Sequence, residues 1–76
     1  MESCVYNSNA VEMTKQLCKL ILAAVVRLGV YGAYSVEPDG VRDGMYLSFD
    51  VRDHGGHLLG RWLQDDDGGE YHRWAL

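Results

Sequence analysis

The chain has 76 residues, 47% of them hydrophobic, and its 11 acidic against 7 basic residues give a formal net charge of −4. This length predicts a single domain, residues 1–76, and the hydrophobic fraction is too high for a disordered protein. The longest apolar run, residues 20–26, is far shorter than the roughly 20 residues of a membrane span. No basic segment precedes an apolar one at the N-terminus, so no signal peptide is predicted. We therefore expect a soluble protein located in the cytoplasm.

Charge is divided unevenly along the chain. Residues 1–29 hold two acids and three bases, whereas residues 30–76 hold nine acids and four arginines. The acidity therefore belongs to the second part of the chain. Direct binding to nucleic acid is not expected, because such binding depends on Lys and Arg that neutralise phosphates.

The first predicted element is a long helix. Asn9, with Glu12 three residues later, has the spacing of a capping box, so residues 1–8 are predicted to be a lead-in that includes a short strand at residues 3–6. Gly29 is predicted to end the helix as its C′ residue. An apolar stripe with a period of 3.6 residues lies between these signals and consists of Met13, Leu17, Leu20, Ile21, Ala24 and Leu28.

The second half of this helix is apolar nearly all round, because Leu22, Val25 and Val26 add to the stripe. Such a helix is usually buried on more than one side. Burial within the fold is our expectation, and contact with a partner molecule is the alternative.

After Gly29 the hydrophobic period changes to two, which predicts strands. The predicted strands are residues 30–37, 45–53, 57–64 and 70–76, separated by turns at residues 38–40, 54–56 and 65–69. Such short connections favour antiparallel neighbours. We therefore predict an α+β fold in which one long N-terminal helix packs on an antiparallel β-meander of about four strands.

The predicted strand 45–53 also assigns the two faces of the sheet. Leu47, Phe49 and Val51 are expected to face the helix, because residues two apart lie on the same side of a strand. Tyr46 and Asp50 alternate with them and are expected to lie on a solvated face.

No motif in the sequence predicts catalysis, a cofactor or a metal. His54 and His57 flank a glycine pair, but a zinc site needs three or four converging ligands. The aspartates at 65–67 are consecutive and therefore lack the alternate spacing of a calcium loop. Cys4 and Cys18 have no metal-type spacing, and no glycine-rich phosphate loop is present. We expect a protein that is not an enzyme.

Nine acids of the strand region are the candidate partner-binding residues. Aspartates are common in turns because they bond local backbone N–H groups, and this explains some of the nine but explains three consecutive aspartates less well. The alternative is mimicry, since carboxylates about 6.8 Å apart along one strand face approach the charge density of duplex DNA. The nine residues are Glu37, Asp39, Asp43, Asp50, Asp53, Asp65, Asp66, Asp67 and Glu70.

A helix at residues 9–29 followed by the strands "MYLSFDVRD", "HLLGRWLQDDDGG" and "EYHRWAL" resembles the small phage- and mobile-element-encoded anti-CRISPR proteins. In architecture the chain looks like a type I anti-CRISPR, for example a type I-C inhibitor. The resemblance implies binding to the Cascade surveillance complex and a block of target DNA recognition. The implied partner is a protein with a basic nucleic-acid-binding groove, and we expect the chain itself to be a monomer without membrane association.

A different class of binding protein is the alternative, such as an antitoxin or a phage accessory factor with an aromatic interface. Tyr and Trp are enriched at interface hot spots. Against this, Trp62 and Trp74 are expected to fill a small core beside Phe49. The aromatic candidates are Tyr31, Tyr34, Tyr46, Trp62, Tyr71 and Trp74.

Overall fold

The computed structural model describes residues 2–65 and 67–75, and the side chains of residues 12–65 and 67–75. Its elements are helix α1 (Glu2–Arg27) and strands β1 (Ser35–Arg42), β2 (Tyr46–Arg52), β3 (Leu58–Gln64) and β4 (Glu70–Trp74). The strands form one antiparallel sheet in the order β1-β2-β3-β4. The predicted α+β architecture, with an N-terminal helix followed by a four-stranded meander, is confirmed.

Helix α1 begins earlier than predicted. It has 26 residues and continues through Asn9, so the lead-in, the strand at residues 3–6 and the N-cap are wrong. Ser and Asn cost less than about 0.7 kcal/mol each in a helix interior, and extending an existing helix needs no new nucleus. Polar residues therefore do not stop a helix whose second half is held by packing. In the described part of the chain, α1 lacks the apolar stretch that a membrane crossing requires.

The C-terminus of α1 is a Schellman motif, as the predicted C′ glycine requires. Gly29 has a φ of +84° and donates its N–H to the carbonyl of Val26 at 3.0 Å. Val30 donates its N–H to the carbonyl of Val25 at 3.3 Å. These two bonds reverse the chain direction and bring Val30 against the same core that Val25 enters.

The core lies where the second half of α1 crosses the sheet. Ile21 and Val25 pack against Phe49, Val51 and Trp62, and all five side chains are at most 4% exposed. Phe49 and Trp62 are direct cross-strand neighbours on the inner, helix-facing side of the sheet. The expectation that Trp62 fills the core beside Phe49 is confirmed, whereas Trp74 at the edge of this cluster is only half-buried.

Gly60 lets strand β4 approach the core. It pairs with Val51 on one side and Trp74 on the other. A Cβ atom at position 60 would overlap the backbone carbonyl of Arg73 and lie only 2.8 Å from the Cα of Trp74. The Trp74 indole occupies the space that a side chain at position 60 would need, so a residue without a side chain is required there.

Strand β1 lies later in the sequence than predicted, because Pro38–Gly40 is not a turn. These residues lie inside β1, where the register shifts between Pro38 and Gly40. An edge strand tolerates proline, since one row of its N–H groups has no strand partner, and a bulge accommodates the extra residue. The chain turns instead at Asp43-Gly44, whose φ values of +57° and +70° are those of a type I′ turn.

The outer face of the sheet, which points away from α1, is less solvated than predicted. Ser48 and Asp50 belong to this face of β2, yet they are only 1% and 8% exposed. Arg61 donates from Nε to Asp50 at 3.1 Å, and long side chains of this kind cover their neighbours while their charged ends stay in water. The expected solvated position of Asp50 is therefore wrong.

Replacing Gly60 with alanine is expected to destabilise the fold by about 1–3 kcal/mol, because the new methyl group must displace the β4 backbone. Urea denaturation followed by tryptophan fluorescence measures this loss. Gly44→Ala is the control, since a Cβ there meets open space and tests backbone strain alone. A loss for Gly60→Ala no larger than that of the control would contradict the close approach of β4.

Candidate protein-binding surface

Five of the nine predicted partner-binding acids lie at or near one end of the sheet. In a meander, the β1–β2 and β3–β4 turns lie at the same end, because alternate connections return to the same side. This arrangement brings together residues more than 20 positions apart in the sequence. We call Asp39, Asp43, Asp65, Asp67 and Glu70 the acidic end. Asp66 lies outside the described residues.

The other three predicted acids lie elsewhere. Asp53 is in the β2–β3 turn, at the opposite end of the sheet. Asp50 is buried on the outer face and bonded to Arg61, with Arg52 3.5 Å from its second oxygen. Glu37 is exposed on the edge strand, directly opposite Asp50. The nine acids therefore do not form one continuous surface.

The β2–β3 turn is organised by Asp53. Its Oδ1 accepts the backbone N–H groups of Gly55 and His57, both at 2.9 Å, and lies 3.2 Å from the His57 ring nitrogen. Gly56 has a φ of +83°. The N–H of His57 is the largest of the influences that hold the pKa of the Asp53 carboxyl below its usual value of 3.8. The charge of Asp53 is therefore used inside its own turn.

The β3–β4 turn repeats this geometry around Asp65. Its Oδ1 accepts the backbone N–H of Asp67 at 3.1 Å and that of Gly69 at 2.6 Å. Gly68 occupies the left-handed position with a φ of +87°. Both hairpins thus use an aspartate that bonds the backbone two and four residues later, followed by a glycine at the third. One aspartate of the acidic triplet is a structural residue of the turn.

The remaining acids of the acidic end point their charge toward solvent to different degrees. Asp39 forms an ion pair with Arg42 on the same strand, which reduces its field. Asp43, Asp67 and Glu70 are exposed, and Glu70 lies 3.3 Å from the ring nitrogen of His72. Asp43, Asp67 and Glu70 are therefore the acids best placed for contact with a partner.

An apolar groove lies beside the acidic end, between α1 and the sheet. Its volume is about 880 Å³. Met13 is 73% exposed, Leu20 66% and Leu47 47%, and Leu47 is the second residue of β2, next to the β1–β2 turn. Clustered exposed apolar side chains mark interaction sites in small soluble proteins. The groove is lined by Glu12, Met13, Thr14, Gln16, Leu17, Leu20 and Leu47.

The second half of α1 is buried on one side and exposed on the other. Val25 is fully buried and Ile21 nearly so, but Leu20 and Val26 remain 66% and 58% exposed. Burial on more than one side is therefore wrong for α1, because one sheet covers only one side of it. The exposed flank of the helix is available to a partner.

A second, aromatic cleft of about 420 Å³ lies at the other end of the helix. Trp62 stacks on His72 with ring centroids 4.1 Å apart, and the centroid of Trp74 lies 5.9 Å from that of His72. Tyr31 is 97% exposed at the rim. The lining residues are Leu28, Gly29, Val30, Tyr31, Leu59, His72 and Trp74.

The histidines and the described cysteine are arranged for packing and turn formation. The His54 ring lies tilted against the Tyr34 ring with centroids 3.7 Å apart, whereas His57 contacts Asp53, so the two histidines of this turn have different partners. Burial, and to a smaller extent the charge of Glu37, raises the pKa of the Cys18 thiol, which keeps it protonated and weakly nucleophilic. Within residues 12–65 and 67–75, no three His, Cys, Asp or Glu side chains converge as metal ligands.

Comparisons of the chain with known protein families, with curated proteins and with solved structures found no match.

Replacing Asp53 with asparagine is expected to remove one contribution to acid sensitivity. The folded pKa of Asp53 lies below its unfolded value, so its stabilising effect is present above the usual value of 3.8 and is lost as pH falls through the folded pKa. Asn keeps a carbonyl oxygen for the turn but carries no charge. Free energies of unfolding should differ between wild type and variant above pH 3.8, and the difference should shrink as pH falls through the folded pKa of Asp53. A constant difference would contradict the prediction.

Replacing Asp65 with alanine is expected to cost about 1–2 kcal/mol of stability, because two backbone N–H groups lose a charged acceptor. Asp67→Ala removes the same charge but keeps the backbone N–H that Asp67 contributes to the turn, so it should cost less than about 0.5 kcal/mol. Thermal unfolding of both variants measures the difference. Equal losses would show that Asp65 does not organise the turn.

Proposed function

We propose that this chain is a non-catalytic inhibitor of the anti-CRISPR class that acts in the bacterial cytoplasm. It binds a basic nucleic-acid-binding groove of the type I surveillance complex Cascade and blocks the entry of target DNA. The observation that carries the proposal is the collection of exposed acids at one end of the sheet. Asp43 comes from the β1–β2 turn, Asp67 from the β3–β4 turn, and Glu70 is the first residue of β4.

Clustering of this kind favours recognition of a positively charged surface. The two turns lie about two strand spacings apart, roughly 10 Å, so their carboxylates fall within the width of a groove that holds a nucleic-acid strand. Opposite charges steer two proteins together and raise the association rate, and the effect weakens with added salt. A chain with a net charge of −4 gains such steering toward a basic site.

The apolar groove supplies what an acidic surface alone lacks. Stable interfaces have an apolar centre with a polar rim, and charged pairs at the rim contribute mainly to orientation and rate. Met13, Leu20 and Leu47 form such a centre next to the acidic end. The partner surface is therefore expected to present apolar side chains beside its Lys and Arg residues.

The aromatic cleft supports the alternative function, a binding module of another class such as an antitoxin or a phage accessory factor. Tyr31 and Leu28 are exposed at its rim, and the Trp74 indole forms part of its wall. An interface centred there would be apolar and insensitive to salt. Loss of partner binding in Tyr31→Ala with full binding in acidic-end variants would favour this alternative.

Charge reversal at the acidic end tests the proposal. Asp67→Lys and Glu70→Lys are each expected to weaken binding to purified Cascade about tenfold, or about 1.4 kcal/mol, at low salt. The effect should shrink at high salt, because screening reduces the field of exposed charges. Biolayer interferometry with immobilised Cascade measures the dissociation constant of each variant at low and at high salt.

The control is Glu37→Lys, which changes the net charge by the same amount on the outer face of β1. It should bind nearly as well as wild type. Asp65 is left unchanged in every variant, because its loss would disturb the turn itself. Equal weakening by all three variants would point to net charge alone, and undiminished binding by Asp67→Lys and Glu70→Lys would overturn the proposal.

A further inference from the structure

All four arginines of the strand region lie on the outer face of the sheet, although the chain is acidic overall. The alternation of side chains along paired strands places them there. Arg52 is committed locally, since it donates to the carbonyl of Gly56 at 2.9 Å and approaches Asp50 at 3.5 Å. The other three, Arg42, Arg61 and Arg73, line one small cleft. Arg42 also pairs with Asp39, and Arg61 with Asp50.

We propose that this arginine cleft, formed by Arg42, Arg61 and Arg73, binds the phosphate group of a small phosphomonoester. The cleft has a volume of about 170 Å³, with Leu63 among its lining residues and Asp43 as its one carboxylate. The three guanidiniums come from three different strands, β1, β3 and β4. A group that enters the cleft therefore meets hydrogen-bond donors from several directions.

The register of the sheet creates a need for an anion at this place. Arg61 and Arg73 are directly opposite each other on β3 and β4. Like charges in directly opposed positions destabilise a sheet. Asp50 neutralises Arg61 from the other side at 3.1 Å, whereas the described contact of Arg73 is with the Tyr71 ring, 5.3 Å from its guanidinium carbon. An anion bound beside Arg73 would compensate the arginine of this pair that has no described carboxylate partner.

The donor geometry favours phosphate over a carboxylate. Arg42 is paired with Asp39 and Arg61 with Asp50, so Arg73 is the cleft arginine to which the described residues bring no carboxylate. A phosphomonoester carries about −1.5 to −2 at neutral pH and would supply that negative charge. The guanidinium fork bonds phosphate oxygens in pairs, and a tetrahedral group offers oxygens to more than one fork.

A spare hydroxyl lies on the same face. Ser48 is the β2 partner of Leu63, which lines the cleft. Ser48 is 1% exposed, and within the described part of the chain its Oγ has no hydrogen-bond partner. A buried hydroxyl without a partner costs about 1–3 kcal/mol. A buried hydroxyl without a described partner therefore lies on the same face of the sheet, directly opposite a residue that lines the cleft.

A small phosphate compound fits this site better than a nucleic-acid chain. A polyanion would have to lie across the outer face and past the acidic end, where Asp67 and Glu70 repel it. A single phosphate group needs only the cleft. This site and the surface proposed for Cascade binding use different residues in their tests, so either can fail without the other.

Phosphate titration of ¹⁵N-labelled protein at constant ionic strength tests the inference. Inorganic phosphate should shift the side-chain Nε–Hε signals of Arg61 and Arg73 in a saturable manner, while sodium chloride at the same ionic strength should not. Arg73→Gln should weaken phosphate binding at least tenfold. Arg73→Lys should weaken it less, because it keeps the charge but loses the fork.

Arg27→Gln is the matched control, since it removes an arginine from α1 far along the chain from the cleft and should leave binding unchanged. Arg42→Gln provides a second test from the opposite strand. Linear, non-saturating shifts, or equal affinity in wild type, Arg73→Gln and Arg42→Gln, would overturn the inference.

Tighter binding of a nucleoside monophosphate than of inorganic phosphate would identify a nucleotide as the source, and equal binding would identify free phosphate. Tighter binding of a single-stranded oligonucleotide than of either would overturn the small-molecule assignment.

Discussion

The contact of Ile21 and Val25 with Phe49, Val51 and Trp62 is the one on which the rest of the structure depends. It is the only apolar cluster of buried side chains in the described part of the chain that joins the helix to the sheet. A domain of about this size buries only about 60% of its unfolded surface, so one such cluster carries most of the hydrophobic stabilisation. Because a single helix covers this cluster and little more, the flank of α1 and part of the inner face stay accessible. The apolar groove and the aromatic cleft are the two ends of that uncovered surface.

The acids of this chain have at least three different roles, although they look alike in the sequence. Asp53 and Asp65 hold the backbone of their turns, and Asp50 compensates an arginine on the outer face. The exposed acids Asp43, Asp67 and Glu70 are the ones best placed to act on another molecule. A negative net charge therefore overstates the charge available for binding. The same reasoning applies to the arginines, since Arg42, Arg52 and Arg61 each pair with an aspartate. Arg73 has an aromatic contact.

The periodicities of the sequence predicted the element types, their order and the meander, because these depend on local spacing of apolar residues. The Gly29 helix end was also predictable from local sequence, since left-handed backbone favours glycine.

The place that a residue takes within the sheet was not predictable from local sequence. Pro38–Gly40 resembles a turn locally, but it lies on an edge strand where a bulge is tolerated. The Asp43-Gly44 pair was the better turn signal. Burial of Asp50 and the opposition of Arg61 and Arg73 depend on cross-strand register, and the gathering of acids from two turns depends on topology. None of these is a property of a short stretch of sequence.

The acidic end and the arginine cleft adjoin, because Arg42 and Asp43 are consecutive residues. Asp39 of the acidic end pairs with Arg42 of the cleft, and Asp43 lines the cleft itself. Opposite charges this close largely cancel each other beyond a short distance. A distant partner therefore meets mainly the net charge of −4, and it distinguishes the acids from the arginines only when it is nearly in contact. Attraction and orientation are thus separate stages of any encounter with this molecule.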